Sequence, residues 1–165
     1  MPANKKANLE IERKFLLKNV PNFGKRKWTS LDISQFYFNS RGKRIRYRES
    51  INKDGKSTYY STKKKLISKG TYEEIEFIIT EKKFCKILFD KTVDKRIIKK
   101  TRFIYEYKGF KFEIDKFTNM NLVVMEIELD NIYQKIPFPD FIAEKIILEV
   151  TDLREFTNFS LSEKY

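Results

Sequence analysis

Short runs of alternating apolar and polar residues follow one another along most of the chain. These runs are rich in Ile, Tyr, Phe, Thr and Val, which is typical of strands, and glycine-containing turns separate several of them. The runs cover residues 9–17, 33–38, 43–50, 57–64, 73–80, 97–107, 110–117 and 122–129. Short strands at this spacing predict a meandering antiparallel sheet or a barrel.

Two segments have helical periodicity instead. In residues 80–91, apolar residues recur at i, i+3 and i+4 behind Thr80, which is suited to cap a helix. The second segment opens at Asp152, which with Glu155 has the spacing of a capping box, and it continues to Leu161. We therefore predict an α+β fold in which helices flank the strands.

Neither a linker nor an internal repeat divides the chain. A single domain over residues 9–165 is therefore predicted. Residues 1–8 are polar and basic, and we expect them to form a disordered tail.

Charged residues occur in same-sign pairs inside the predicted strands. Residues i and i+2 of a strand share one face, so each pair lies on a single face. The acidic pairs are Glu10/Glu12, Glu74/Glu76, Glu113/Asp115 and Glu126/Glu128, and the basic pairs are Arg44/Arg46 and Lys100/Arg102. One such pair is an ordinary solvated face, but like charges ~7 Å apart repel by roughly 0.6 kcal/mol even in water. A closed barrel lined by both signs would hold a metal ion and a polyanion together.

Composition narrows the chemistry. The 165 residues hold 35 Lys and Arg against 23 Asp and Glu, a net charge of +12, so the expected partner is an anion: nucleic acid, an acidic membrane surface or polyphosphate. Histidine is absent, which excludes Ser-His-Asp catalysis and imidazole metal sites. Cys85 is the only cysteine, so no internal disulfide forms and no thiolate zinc site exists. Without a signal peptide or an apolar span of ~20 residues, we expect a cytoplasmic protein that does not cross a membrane.

The first predicted strand carries the most specific motif. Glu10-Ile11-Glu12-Arg13-Lys14 puts two carboxylates and an ammonium on one face, two hard ligands for Mg²⁺ or Mn²⁺ beside a cation that can reach a bound phosphate. This Glu-x-Glu-x-Lys segment resembles the signature of the CYTH superfamily, the triphosphate tunnel metalloenzymes. Later segments are similar to further motifs of that family, in the family's order. They are Gln35/Tyr37, Arg44-Ile45-Arg46, Ser61-Thr62-Lys63, Glu74-Ile75-Glu76, Lys100-Thr101-Arg102, the acidic strands around Glu113/Asp115 and Glu126/Glu128, and Glu149-Val150-Thr151.

The resemblance implies an eight-stranded antiparallel β-barrel, or tunnel, with flanking helices, which holds a triphosphate between basic and acidic walls. It implies Mg²⁺ or Mn²⁺ as cofactor, held by Glu10, Glu12, Asp115, Glu126 and Glu128. The implied substrate-binding residues are Lys14, Tyr37, Arg44, Arg46, Lys63, Lys100 and Arg102. Lys63 or Lys100 would stabilise the leaving phosphate as the catalytic residue.

Some residues stand outside these assignments. Arg48 and Lys111 are interpreted as solvated strand charges. Tyr72 stands where family members commonly carry a basic residue, and Lys69 is a candidate replacement for that cation.

The leading functional hypothesis is a divalent-metal-dependent triphosphatase that hydrolyses the terminal phosphate of inorganic tripolyphosphate or of an organic triphosphate, such as thiamine triphosphate or a nucleoside triphosphate. A class IV adenylate cyclase, which converts ATP to cyclic AMP and pyrophosphate, would use the same motifs. A non-catalytic polyphosphate binder and a nucleic-acid binder are further alternatives. The paired carboxylates disfavour nucleic acid, because they would repel its phosphate backbone. Both a monomer and a homodimer remain open.

Overall fold

The computed structural model describes residues 8–40, 43–91 and 96–164. The strands are β1 (Asn8–Leu17), β2 (Trp28–Ser40), β3 (Lys43–Asn52), β4 (Ser57–Ser68), β5 (Thr71–Ile79), β6 (Ile98–Tyr107), β7 (Phe110–Phe117), β8 (Val123–Glu128) and β9 (Ile146–Glu149). The α-helices are α1 (Glu81–Leu88), α2 (Asp140–Ala143) and α3 (Asn158–Lys164), and a 3-10 helix covers Arg154–Phe156. Asn8, which the sequence assigned to the tail, is the first residue of β1, and the rest of that predicted tail lies outside the described residues.

Eight antiparallel strands close into a barrel, which confirms the predicted fold. Their order is β5-β4-β3-β2-β6-β7-β8-β1, and β5 pairs with β1 to complete the ring. The ninth strand, β9, was not predicted. It pairs with residues 15–17 of β1, on the edge that β5 leaves after residue 11.

The largest apolar core lies on the outside of the barrel. Outward residues of β1, β6, β7 and β8 pack there against the segments that carry α2 and residues 18–27. Phe112, Ile114, Met125 and Ile127 are completely buried in it. Along each of these strands, outward apolar side chains alternate with inward polar side chains, so the strands themselves separate this core from the barrel interior.

Helix α1 forms as predicted and covers a second part of the outer face. Thr80 caps it by accepting a hydrogen bond from the Lys83 amide at 3.2 Å. Phe84 is buried against Phe36 and Tyr59, with ring centroids 5.5 and 5.0 Å away. The helix thus attaches to β2 and β4 through the buried Phe84, and Cys85, Ile87 and Leu88 pack against the same cluster.

The end of the chain differs from the predicted helix that began at Asp152. Asp152 pairs with Lys69 at 2.9 Å and caps nothing, and the 3-10 helix ends before α3 begins. The Thr157 hydroxyl accepts a hydrogen bond from the Ser160 amide at the start of α3. Leu161 of α3 then packs against Ile98, one of the inward apolar residues that fill one end of the barrel.

A tight hairpin joins β4 to β5 and presses on the first strand. Gly70 has a φ of +59°, and a Cβ there would lie 2.5 Å from the carbonyl oxygen of Glu12. The Glu12 amide donates a hydrogen bond to the Gly70 carbonyl at 2.7 Å. This close contact requires glycine and fixes the backbone of Glu12.

Among the described residues, no helix is long and apolar enough to cross a membrane.

Candidate functional site

A cavity of about 1060 Å³ occupies the barrel interior beside the apolar end. Alternation along the strands directs charged side chains of both signs into it. The strand carboxylates that line it are Glu10, Glu12, Glu74, Glu76, Glu113, Glu126 and Glu128, and the strand cations are Lys14, Arg44, Arg46, Arg48, Lys64, Arg102 and Lys111.

Lys14 and Lys64 link the carboxylates of β1 and β8. Lys14 Nζ lies 2.9 Å from Glu126, its cross-strand neighbour. Lys64 Nζ lies 2.8 Å from Glu10 and 3.1 Å from Glu12. Burial favours the neutral form of both lysines, but the surrounding carboxylates outweigh it and raise their pKa values above the ordinary lysine value. Both ammonium groups therefore stay charged inside the barrel.

The carboxylates of this group are not equivalent. Burial raises the pKa of Glu10 and of Glu12, and repulsion from Glu126 adds to both shifts, while Lys64 opposes them. Burial by itself would also raise the pKa of Glu126. Attraction from Lys14 and Arg102 outweighs this effect and holds the pKa of Glu126 well below the ordinary value. Burial and the nearby Glu10 raise the pKa of Glu128. Three of the four carboxylates would thus gain from a further positive charge.

The donor set matches a hard divalent cation, because carboxylate oxygens are the ligands that Mg²⁺ and Mn²⁺ prefer. Within residues 8–40, 43–91 and 96–164, no three acidic side chains are grouped closely enough to hold a metal ion. Lys64 lies between Glu10 and Glu12 and supplies positive charge there. The donor atoms of the site are therefore of the type that binds a divalent cation. The side chains are positioned around the Lys64 ammonium, which supplies the positive charge in this structure.

Arg46 and Arg48 form the basic wall on β3. Glu76 accepts hydrogen bonds from both, at 3.5 and 3.2 Å, and also from the Thr62 hydroxyl at 2.7 Å. The Nε atoms of both arginines are buried and have no hydrogen-bond partner within the described part of the chain. Buried donors of this kind are rare, and both side chains line the cavity, so oxygen atoms of an anion there would satisfy them. Arg48 is thus a cavity residue, which corrects its interpretation as a solvated charge.

Lys100, Arg102 and Asp115 form a buried network. Both carboxylate oxygens of Asp115 accept hydrogen bonds, one from Arg102 at 2.7 Å and the other from Lys100 at 2.5 Å and from Arg102 at 2.8 Å. Lys100 also donates to Asn158 of α3 at 3.2 Å, and it is only 3% exposed. Burial and the nearby Arg102 lower the pKa of Lys100 to about 8, although Asp115 opposes this shift.

This network corrects two predicted roles. Neither Lys100 nor Asp115 lines the cavity, and both carboxylate oxygens of Asp115 already accept hydrogen bonds from Lys100 and Arg102. Asp115 instead positions Arg102, which does line the cavity and donates to Glu126 at 3.0 Å. The network therefore forms part of the barrel behind the cavity wall. Within it, the Asp115 carboxylate of β7 pairs directly with Lys100 and Arg102 of the neighbouring strand β6.

The predicted catalytic residue Lys63 lies outside the barrel. It is exposed on β4, opposite Ile75, whereas Lys64 lies opposite Glu74 and lines the cavity. Three consecutive lysines, 63–65, give no contrast from which the inward one can be read in the sequence. Register with the acidic pair on β5 is the signal that would have identified Lys64.

Helix α3 supplies side chains that sequence reasoning missed. Phe159 lines the cavity, and the Arg44 guanidinium stacks over its ring at 3.1 Å. Tyr37 meets the same ring edge-on at 5.4 Å and accepts a hydrogen bond from Gln35 at 3.2 Å. Arg44 and Tyr37 are therefore held in place by the end of the chain.

Most predicted site residues thus meet in one cavity. Those that line it are Glu10, Glu12, Lys14, Tyr37, Arg44, Arg46, Arg102, Glu126 and Glu128, and those that do not are Lys63, Lys100 and Asp115. Lys64, Arg48 and Lys111 line it without having been predicted. Lys69 also reaches the cavity, but its ammonium is paired with Asp152.

Comparison with known proteins agrees with this architecture. The family model of the CYTH domain matches residues 8–160. The crystal structure of the inorganic triphosphatase NE1496 is 28% identical over 93% of this chain and 93% of that chain, with a TM-score of 0.59. The PH1819 protein from Pyrococcus horikoshii OT3 is 20% identical over 74% of this chain and 78% of its own, with a TM-score of 0.56, and shows the fold alone. A search of curated proteins found no match.

Proposed function

Because this chain belongs to the CYTH domain family, we propose that it is a divalent-metal-dependent triphosphatase that removes the terminal phosphate of inorganic tripolyphosphate or of an organic triphosphate. The observation that carries the proposal is the pair of buried arginine Nε donors, on Arg46 and Arg48, in the same cavity as the carboxylates of Glu10, Glu12, Glu126 and Glu128. Similarity to the inorganic triphosphatase NE1496 supports it.

The basic side chains are suited to hold a chain of phosphates. Arg44, Arg46 and Arg48 come from alternate positions of one strand, so their guanidinium groups follow one another along the cavity wall. Arg102 and Lys14 face the same space from β6 and β1. Phosphoryl transfer depends mainly on positioning and on neutralising phosphate charge, and these residues supply both without histidine.

Glu10, Glu12, Glu126 and Glu128 would hold Mg²⁺ or Mn²⁺. When bound, such an ion neutralises phosphate charge and lowers the pKa of a bound water. Lys64 would take the role that the sequence left between Lys63 and Lys100: its ammonium lies beside Glu10 and Glu12, and it would stabilise negative charge on the leaving phosphate. Glu76 keeps Arg46 and Arg48 side by side.

The proposal is tested by ³¹P NMR spectra recorded over time. The full chain is mixed with equal amounts of tripolyphosphate and ATP in excess Mg²⁺, and a matched sample contains EDTA. Orthophosphate is expected to grow only in the sample with free metal. Hydrolysis that continues in EDTA would contradict the metal requirement.

The same spectra distinguish the alternatives. Pyrophosphate together with a cyclic phosphodiester signal from ATP would identify an adenylate cyclase and overturn the triphosphatase. Metal-dependent line broadening without turnover would identify a polyphosphate binder. The basic residues of the cavity lie among carboxylates inside a barrel, which favours a compact triphosphate over a nucleic-acid strand.

A further inference from the structure

The strand charges inside the barrel cancel one another. The strand carboxylates and the strand cations that line the cavity are equal in number, and behind the cavity wall Asp115 is matched by Lys100. The chain nevertheless carries a net charge of +12. This whole excess therefore belongs to residues other than these, so a polyanion can be attracted to the outside of the barrel as well.

Exposed cations gather at one end of the outer surface. Three of them lie in the segment before β2, and the β3–β4 turn reaches them because Lys53 Nζ lies 4.0 Å from the centre of the Trp28 ring. The β6–β7 turn adds one more. We refer to these residues as the outer basic cluster: Lys25, Arg26, Lys27, Lys53, Lys56 and Lys108.

The cations of the outer basic cluster are not neutralised by neighbouring carboxylates. None of them forms a salt bridge with another described residue, and the outer ion pairs of that part of the chain use Arg13, Lys69 and Lys145 instead. Asp54 and Asp140 are the acidic residues of the same turns and pocket. The cluster therefore keeps a positive charge that is free to attract an anion.

Aromatic rings lie between these cations. Trp28 stacks on Phe23 with ring centroids 5.4 Å apart, and it pairs across the strands with Tyr105. Tyr105 in turn stacks on Tyr107 at 6.4 Å, and Lys108 Nζ lies 5.2 Å from the centre of the Tyr107 ring. Trp28 and Tyr107 are only half-buried. Their rings are thus held by the outer core and remain accessible in part.

A pocket of about 240 Å³ opens on this surface, separate from the barrel cavity. The Arg26 guanidinium forms one side of it and lies 4.1 Å from the centre of the Phe141 ring. Asp140 also lines the pocket, and its carboxylate can accept a hydrogen bond from an amino group of a base. The remaining rings of the lining are Tyr105, Tyr107 and Phe138. The pocket is suited to a single planar ring.

Cations that alternate with accessible rings are typical of surfaces that bind single-stranded nucleic acid. The phosphates pair with lysine and arginine, and the bases stack on the aromatic side chains. An inorganic polyphosphate would leave the rings in water. A membrane surface would require protruding apolar side chains, whereas Trp28 and Tyr107 are packed against the outer core. The combination therefore favours a nucleic-acid strand.

We propose that the outer basic cluster and the rings beside it bind single-stranded nucleic acid on the outside of the barrel. Lys53 and Lys108 contact phosphates, and bases stack on Trp28 and Tyr107. Binding tolerates many sequences, because every base has a face that can stack. It goes beyond the proposed function, since it uses no cavity residue, no metal ion and no terminal triphosphate.

Trp28 is the only tryptophan of the chain, so its fluorescence reports on this surface alone. The full chain is titrated in EDTA with a single strand of about 12 nucleotides that carries a 5′-hydroxyl group. Saturable quenching is expected, and a plot of log affinity against log salt concentration should have a slope of roughly −2 to −4, as three to six phosphate contacts give. Absence of quenching would overturn the proposal.

Inorganic polyphosphate of equal charge tests the role of the rings. It is expected to bind about tenfold more weakly than the oligonucleotide at the same salt concentration, because it has no bases to stack. Equal affinity would mean that the surface attracts any polyanion, and would overturn the assignment to nucleic acid.

Variants locate the strand, with affinity measured by the fluorescence anisotropy of a labelled oligonucleotide. Lys53→Gln and Lys108→Gln are each expected to weaken binding about five- to tenfold and to make the salt slope less steep by about 0.7. Tyr107→Leu should weaken it at least fivefold through lost stacking. Lys82→Gln, on the exposed face of α1, removes the same charge elsewhere and should change affinity less than twofold. Equal losses in the three lysine variants would overturn the site.

A cavity variant separates this surface from the barrel interior. Arg48→Gln removes one charge from the cavity and should affect oligonucleotide affinity no more than Lys82→Gln does. A tenfold loss in Arg48→Gln would place the strand inside the barrel and overturn the proposal. Because all these measurements are made in EDTA and without turnover, their outcome does not depend on whether the protein hydrolyses a triphosphate.

Discussion

The two faces of the barrel strands are stabilised in opposite ways. On β8, Met125 and Ile127 point outward and are completely buried, whereas Glu126 and Glu128 point into the cavity. The outward residues contribute through removal of apolar surface from water. The inward charges lose hydration, and their pairing only offsets that cost. The outer face therefore carries most of the stability, and the inner face is arranged for binding an ion or an anion.

The largest expected effect tests the outer face. Phe112→Ala removes a completely buried ring from the outer core and should lower the free energy of unfolding by about 3–5 kcal/mol. Urea denaturation of the variant and the wild type measures this. A loss below about 1 kcal/mol would show that the outer core is not the main source of stability.

The next effect tests the inner face. Glu12→Gln should lower triphosphate hydrolysis on the order of 100- to 1000-fold with little loss of stability, since one electrostatic group leaves the site. Orthophosphate release in saturating Mg²⁺ is the measurement, and Glu106→Gln, on the exposed end of β6, is the control. Equal activities of the two variants would remove Glu12 from the site.

Two neighbouring lysines on β4 sharpen the comparison. Lys64→Gln should lower kcat/KM roughly 10- to 100-fold, because a charge-assisted hydrogen bond in the site is lost. Lys63→Gln, one residue away on the outer face, should change it less than about twofold. Steady-state kinetics of both variants give the two values of kcat/KM. A larger loss in Lys63→Gln than in Lys64→Gln would mean that Lys63, and not Lys64, points into the cavity.

The buried Lys100 network predicts a pH dependence. The pKa of the Lys100 ammonium is lowered from 10.5 to about 8. Between these pH values, Lys100 keeps its proton in the unfolded chain and has released it in the folded chain. Stability then rises with pH in this window, by at most about 1.4 kcal/mol per pH unit from this group. The difference in unfolding free energy between the wild type and Lys100→Met should grow in favour of the wild type from pH 8 to 9.5. A shrinking difference would mean that Asp115 raises this pKa.

The smallest effect concerns charges outside the barrel. Arg13 donates to both carboxylate oxygens of Glu149, at 2.9 and 2.6 Å, and lowers the pKa of Glu149. Glu149→Gln should cost about 1 kcal/mol or less, because the pair is half-exposed. A lowered pKa stabilises the fold above pH 4.5 and loses this effect as the pH falls, so the wild type and the variant should converge in acidic urea titrations. Lost hydrolysis at pH 7 would contradict a purely structural role.

Alternation predicted the antiparallel strands and much of the charged lining but left an open sheet and a barrel as alternatives; the resemblance to the CYTH family implied the closed barrel. The motifs on β3 and β8, and Glu10-Ile11-Glu12 on β1, have apolar residues between their charges, which marks the charged face, and their charged residues meet in the cavity. Arg48 continues the same face as Arg46, so the pattern already contained it; it was assigned to solvent because no motif included it. The strand β9 escaped prediction because only four residues pair there, too few for a period to be visible.

The sequence by itself determined which strands carry acidic pairs and which carry basic pairs, the absence of histidine chemistry and the likeness to the CYTH family. These properties depend only on residue type and spacing. Tertiary structure alone decided which lysine of residues 63–65 faces inward, because cross-strand register selects the face. It also decided that Asp115 is taken up by Lys100 and Arg102, since these partners come from a neighbouring strand.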